Sequence, residues 1–280
     1  MRLWSGAPYA IGDHVAVVAE DRVPRGEAQV LRVQLLPDNF LPPISTPWPN
    51  FQNNRSYFEL ELDTNLNGTI RPNDVISNID YTGSGYSLVG NTIRDHRTRG
   101  MLLKARDGHV ESNLIDGSSI ADLVMQPELW WGEGNYAEHV VIRNNTLPKC
   151  GDATTGGWSE QAGVLTVRGT GTSSIVYGHD TLTIENNVFL DNDGVQMVLD
   201  GLKNTVIRKN WFVNAQYKVN DGGADHGYDG EALVHINRAH SLRLEGNRAW
   251  NVGPAHKRNL QITPLATQVV GVLDGIIVEI

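Results

Sequence analysis

The segments "VVIRNNTL" (140–147), "LTIENNVF" (182–189) and "TVIRKNWF" (205–212) share one frame: apolar, any, apolar, any, any, Asn, any, apolar. The same frame surrounds Asn91 in "SLVGNTI" (87–93), Asn113 in "GHVESNLI" (108–115) and Asn247 in "LRLEGNRAW" (242–250). Successive asparagines lie 22, 32, 42, 23 and 37 residues apart, which reads as a base coil of about 22 residues lengthened by insertions on one side. After each asparagine and a turn comes a second short apolar run: "GMLLKA", "ADLVMQ", "GVLTVRG", "GVQMVLDG" and "ALVHIN". Alternation is period two throughout and no helical period is sustained. The fold class expected is therefore all-β, a right-handed parallel β-helix, a solenoid. Its asparagines stack from coil to coil as an internal ladder, each amide bonding backbone at the bend.

Working outward from the repeat, residues 1–70 do not carry the frame. "GDHVAVVAE", "AQVLRVQLL" and "RSYFELELD" read as strands joined by turns, with "LPDNFLPPISTPWPNFQNN" a proline-rich loop. A small antiparallel β-barrel-like module is expected over 1–70 and the β-helix over 71–280, with "RPNDVISN" as the junction.

Composition narrows the function. The 280 residues carry 32 acidic and 23 basic side chains, a formal charge of -9, which repels a phosphate backbone and argues against nucleic acid. A single cysteine, Cys150, excludes an internal disulfide framework and reads as packed and inert. No apolar run is long enough to cross a bilayer and no export signal is visible from Met1 onward. An extracellular or periplasmic location is expected, on the expectation that the natural N-terminus lies upstream. The acidic insert "VNDGGADHGYDGEA" lacks any calcium-binding spacing and reads as a solvated loop, so no metal and no cofactor are expected.

If Met101, Leu103, Leu123, Met125, Leu165, Val167, Met197, Leu199, Val234 and Ile236 face inward, two outward columns follow. One holds Lys104, Gln126, Arg168, Asp200 and Asn237; its neighbour holds Leu102, Val124, Thr166, Val198 and His235. This pattern fits a cleft floor for carbohydrate, or equally a solvated face on which Arg168 and Asp200 pair across adjacent rungs. The loop "PELWWGEGNYAEHV" sets Trp130 and Trp131 beside Glu133: indole stacks on the C–H faces of sugars, and an apolar surface raises the pKa of a neighbouring acid. A tryptophan plug with a turn glutamate is the bland alternative. The charged turn "RDHRTRG" enters the strand one coil earlier, so Arg97 or Arg99 would project toward Glu133 while Lys104 lies on the floor.

These segments, "GNTIRDHRTRGMLLKARDGHVESNLI" and "PELWWGEGNYAEHVVIRNNTL" above all, resemble glycoside hydrolase family 110, the exo-acting α-1,3-galactosidases. The resemblance covers roughly residues 70–150 and rests on an "N-x-x-x-x-x-R-x-R-G" turn and a "W-x-E-x-G"-like loop. It implies a metal-independent, inverting hydrolase of terminal galactosides, with Arg97, Arg99, Trp131 and Glu133 lining the pocket. In that family the barrel interrupts a helix already begun, whereas here nothing precedes it, so the chain is expected to be a C-terminal portion whose missing upstream coils supply a second carboxylate, with those N-terminal coils or an unknown oligomer as further partners. Asp95 and Glu128 are the local candidates for that role. An oligo- or polysaccharide is the expected partner. A polysaccharide lyase or uronate epimerase, using Lys104, Arg97, Arg99 or His235, and a non-catalytic glycan-binding β-helix are the alternatives.

Overall fold

The inward side chains of the repeat are what close the coils. Val110, Ile142, Ile184, Ile207 and Leu244 enter from one side, Ile115, Leu147, Phe189, Phe212 and Ala249 from a second, and Leu123, Leu165, Met197 and Val234 from a third. All are nearly or fully buried, and the rings of Phe189 and Phe212 lie 5.1 Å apart on neighbouring coils. Burial of this kind is the main force that stacks the coils, at roughly 25 cal/mol per Å² of apolar surface.

The computed structural model describes residues 2–4, 9–19, 21–37, 55–64, 66, 70–71, 74–128, 134–151, 157, 159–169, 176–271 and 275–279. Two compact units divide at Thr82 and Gly83. The first is an antiparallel sheet of five strands, β1 (Arg2–Trp4), β2 (His14–Val18), β3 (Pro24–Leu36), β4 (Arg55–Leu62) and β5 (Val75–Asn78), in the order β1-β4-β3-β2-β5. Among the described residues β1 and β5 are its outer strands, and the antiparallel pairing expected of this segment is present. The boundary lies beyond residue 70, because "VISN" pairs antiparallel with β2 (Val15 with Asn78, Val17 with Ile76) instead of entering the helix. Most of the proline-rich loop, residues 38–54, lies outside the described residues.

The second unit is a three-sided parallel β-helix. Sheet I contains β6 (Ser87–Val89), β9 (His109–Glu111), β12 (Val141–Arg143), β16 (Thr183–Glu185), β19 (Leu202–Arg208), β22 (Ala239–Glu245) and β25 (Thr267–Val270), while the short β15 (His179–Asp180) pairs with β19 beside it. Sheet II contains β7 (Thr92–Arg94), β10 (Leu114–Asp116), β13 (Thr146–Pro148), β17 (Val188–Leu190), β20 (Trp211–Val213), β23 (Asn247–Trp250) and β26 (Ile276–Glu279). Sheet III contains β8 (Arg99–Leu102), β11 (Ala121–Met125), β14 (Leu165–Arg168), β18 (Met197–Asp200), β21 (Ala232–Ile236) and β24 (Arg258–Ile262). No helix of the described residues is long and apolar enough to cross a membrane.

Left-handed residues make the corners. Ser112, Asn144, Asn186 and Lys209 turn sheet I into sheet II; Asp95, Lys149, Asp191, Asn214 and Asn251 turn sheet II toward sheet III; Asp107, His139 and Thr181 turn back into sheet I, and Asn204, Ser241 and Gln268 take the same conformation inside β19, β22 and β25. Polar residues with a short side chain tolerate this conformation best, which is why Asn and Asp recur at the bends.

One residue past the first corner stands the asparagine ladder. Asn113 Oδ1 accepts from the backbone N–H and the amide of Asn91, Asn145 from Asn113, Asn187 from Asn145, Asn210 from Asn187, and Asn247 from Asn210, all at 2.9–3.0 Å. The six motifs stack in register, as their shared frame requires.

Outside sheet I the register creates a column of alternating charge, Glu111, Arg143, Glu185, Arg208 and Glu245. Arg143 pairs with Glu111 at 2.8 Å and Arg208 with Glu185 at 2.6 Å. Like charges directly opposite are unfavourable, so a one-coil slip would be penalised along the whole column. Arg208→Glu should lower stability by roughly 1 kcal/mol at low salt, and by clearly less near 1 M salt, in denaturant titrations. Equal losses at both salt concentrations would remove the electrostatic explanation.

Candidate functional site

Sheet III presents its outward residues in register: Leu102, Val124, Thr166, Val198 and His235 form one column across β8, β11, β14, β18 and β21. One step further along the strands stand Lys104, Gln126, Arg168, Asp200 and Asn237, with Arg168 opposite Asp200. The face is not the open cleft floor that the alternation suggested. Val124, Thr166 and Val198 are fully buried although they point out of the coil, because Ala162, Val195 and Tyr228 pack with Val198 as a second small core. Ala162, just before β14, and Tyr228, before β21, thus cover the middle rungs. Leu102, on the first rung, stays 43% exposed.

Beneath this cover the polar row is wired together. Arg99 Nε donates to Gln161 Oε1 at 2.5 Å, Gln161 Nε2 to Gln126 Oε1 at 2.7 Å, and Gln126 Nε2 to Glu160 Oε1 at 2.6 Å. Glu160 Oε2 pairs with Arg168 at 3.2 Å, and Arg168 Nη1 also donates to the Tyr228 hydroxyl at 2.7 Å and the Glu160 carbonyl at 3.2 Å. Gln126 and Gln161 are almost fully buried, whereas the Glu160 side chain is 41% exposed. Arg168 and Asp200 do not pair across their rungs. Asp200 instead receives Nε of Arg238 at 2.6 Å and a second bond from Nη2 of the same guanidinium, which also reaches the Gly169 carbonyl at 2.5 Å. Lys104 forms an ion pair with Glu128.

Three aromatic or imidazole groups shape the row. The Tyr228 ring lies 5.2 Å from the His235 ring, and burial pushes its hydroxyl well above the usual range. Burial lowers the pKa of His235 despite the opposing pull of Asp200 and Asp229, and its buried Nδ1 has no hydrogen-bond partner. His179 is fully buried: Nδ1 accepts from Ala137 N–H at 3.0 Å, Nε2 donates to the Arg168 carbonyl at 3.1 Å, and desolvation lowers its pKa to about 4. Its neutral ring fixes the end of β14 from which Arg168 projects.

Of the residues singled out from sequence, Trp130, Trp131 and Glu133 lie outside the described residues. The chain rejoins the described part at Gly134, whose φ is +65°, and a Cβ there would stand 2.3 Å from Lys104 Cβ. Only glycine lets that segment lie on Lys104, and Asn135 N–H then bonds the Lys104 carbonyl at 3.0 Å. Gly100, which closes the "RTRG" turn, is equally constrained, since an added Cβ would meet Ile115 at 2.4 Å and the Asp122 carbonyl at 2.6 Å. Asp95 and Arg97 are exposed at the corner before β8, and the structure shows no bond from their side chains to the row. Arg99, Lys104, Gln126, Arg168 and Asp200 are brought together. Sequence reasoning missed Glu160, Gln161, Tyr228, Arg238 and His179: the first four partner residues at separations of 8–68, for which no local pattern exists. Among the described residues no three His, Cys, Asp or Glu side chains converge as a metal-binding set.

Three stacked parallel sheets and a buried asparagine ladder define a parallel β-helix. The family model "Right handed beta helix region" matches residues 77–256, and the chain belongs to that family. A search of curated protein sequences finds no match.

Proposed function

We propose that this chain is a carbohydrate-active β-helix that hydrolyses terminal galactosides at the outer face of sheet III. The observation that carries this reading is the row of carboxylates, each held by its own cation: Glu128 with Lys104, Glu160 with Arg168, and Asp200 with Arg238. Such pairing supports a neutral sugar over a uronate, because a uronate carboxylate would compete for cations that already carry an internal anion. Glu133 is the proposed general acid, on the strength of its resemblance to the galactosidase loop. Glu160, half-exposed and oriented by Gln126 and Arg168, is the proposed second carboxylate in place of Asp95, suited to activating a water. The extracellular or periplasmic location belongs to the same proposal.

The test is an assay of the chain on α-galactosides and on oligouronates. Glu133→Gln and Glu160→Gln should each lower galactoside turnover at least ~10²-fold with sugar affinity largely kept. Preference for uronates would transfer the site to the lyase or epimerase reading, and full activity of both variants would remove these carboxylates from the mechanism.

A further inference from the structure

Sheet II carries an outer face that the proposed sugar site does not use. Its middle strands are apolar outward, with Val188 and Leu190 on β17 and Trp211 and Val213 on β20, while Trp250 and Ile277 beyond them are each 48% exposed. Charges mark the two ends. Arg94 and Asp116 stand in register on β7 and β10, and Arg248 and Glu279 form an ion pair on β23 and β26. Along the seven strands the sign therefore runs plus, minus, apolar, plus, minus.

We infer that this face is a self-association surface on which a second copy of the chain packs with its coil axis inverted. A two-fold axis parallel to the strands at β17, the middle strand of seven, places β7 opposite β26 and β10 opposite β23. Arg94 then lies opposite Glu279 of the second copy, and Asp116 lies opposite Trp250 with Arg248 two residues along the same strand, so the nearest charges at each end are of opposite sign. Packing without inversion would set each charged strand against itself, like facing like, which costs free energy. Size agrees with the inverted arrangement: the bulky Trp211 faces Thr146 and Pro148 on β13, and Val188 and Leu190 face their own copies. A sugar is the poorer occupant, because the Arg248 guanidinium already lies over the Trp211 ring at 5.5 Å, where a sugar face would stack.

Seven strands at ~4.8 Å span only ~29 Å, a footprint well below the ~800 Å² per partner of a standard interface. The dimer is accordingly weak, with a Kd on the order of 10 µM. Sedimentation equilibrium of the full chain from about 1 to about 200 µM should show a monomer–dimer equilibrium. Leu190→Glu, which sets a carboxylate against its own copy, should raise Kd at least ~10-fold with an unchanged circular dichroism spectrum. Arg94→Glu and Glu279→Arg should each weaken the dimer roughly 5-fold or more, and the double variant should recover most of that loss. A monomer throughout the range, a dimer indifferent to Leu190→Glu, or a double variant no tighter than either single one would overturn the inference.

Discussion

Asn187→Ala is expected to destabilise the β-helix by about 3–5 kcal/mol, while Asn91→Ala costs less than about 1 kcal/mol, although both residues occupy the same place in the repeat. Asn187 is fully buried, and its side chain makes bonds in both directions. It accepts from the N–H and amide of Asn145 and donates to the Ile142 carbonyl and the Asn210 amide oxygen. Alanine leaves the buried Asn145 N–H with no acceptor and breaks the ladder between the third and fifth asparagines. Stranding a buried polar group costs about 1–3 kcal/mol, and the remaining bonds add to that. Asn91 is exposed at the first rung, where its neighbours can turn to water. Denaturant titration of the two variants decides the matter, and equal losses would mean that the ladder is not a cooperative element.

A second large effect concerns pH. Asp122, on β11, is fully buried, and neither of its carboxyl oxygens makes a hydrogen bond of ordinary geometry. Burial raises its pKa from 3.8 to about 8; Ser118 and Cys150 lie near enough to oppose the shift, and Asp116 adds to it. The nearby Ser118 Oγ is likewise buried without a regular hydrogen bond, so these contacts ease the carboxyl's desolvation without satisfying it. Between pH 3.8 and about 8 the folded chain holds a proton here that the unfolded chain has released, so stability falls as pH rises through that window. His179 acts oppositely. Its pKa falls from 6.5 to about 4 on folding, so stability is lost as pH drops through that interval.

At about 1.4 kcal/mol per unit for each group, the two slopes cancel from about pH 4 to 6.5, and only the Asp122 slope remains above it. The wild-type chain should therefore lose roughly 2 kcal/mol between pH 6.5 and 8. Asp122→Asn keeps the shape of the protonated acid and cannot ionise, so it should abolish that decline and exceed the wild type at pH 8 by several kcal/mol, on the order of 5. Chemical denaturation midpoints from pH 4 to 9 measure this. A flat wild-type profile above pH 6.5, or an unchanged slope in the asparagine variant, would show that Asp122 titrates near its ordinary value.

Glu160 and Asp200 show how legibility divided in the candidate site. Asp200 was placed in its outward column by strand alternation alone, because side-chain direction has period two and the inward residues define the phase. Its partner was not legible. Arg168 stands opposite Asp200 on the next rung, yet it turns to Glu160 and Tyr228, while Arg238 reaches Asp200 from 38 residues away. Glu160 carries no signal in "GWSEQAG", since its role depends on contacts with Gln126 and Tyr228, 34 and 68 residues away.

By itself the sequence determined the coil: its asparagine frame, its period-two alternation and its polar bends dictate local backbone states and the identity of the inward face. These are near-neighbour properties, repeated until the register has no alternative. Tertiary structure alone decided that "VISN" joins the antiparallel sheet of the N-terminal strands, and that the outer face of sheet III is roofed in its middle. It also decided which cation answers which carboxylate. Those outcomes depend on where loops of unequal length come to rest, and a loop's resting place is set by buried contacts with distant coils, such as Ala162 and Tyr228 on Val198, which leave no periodic trace in the chain.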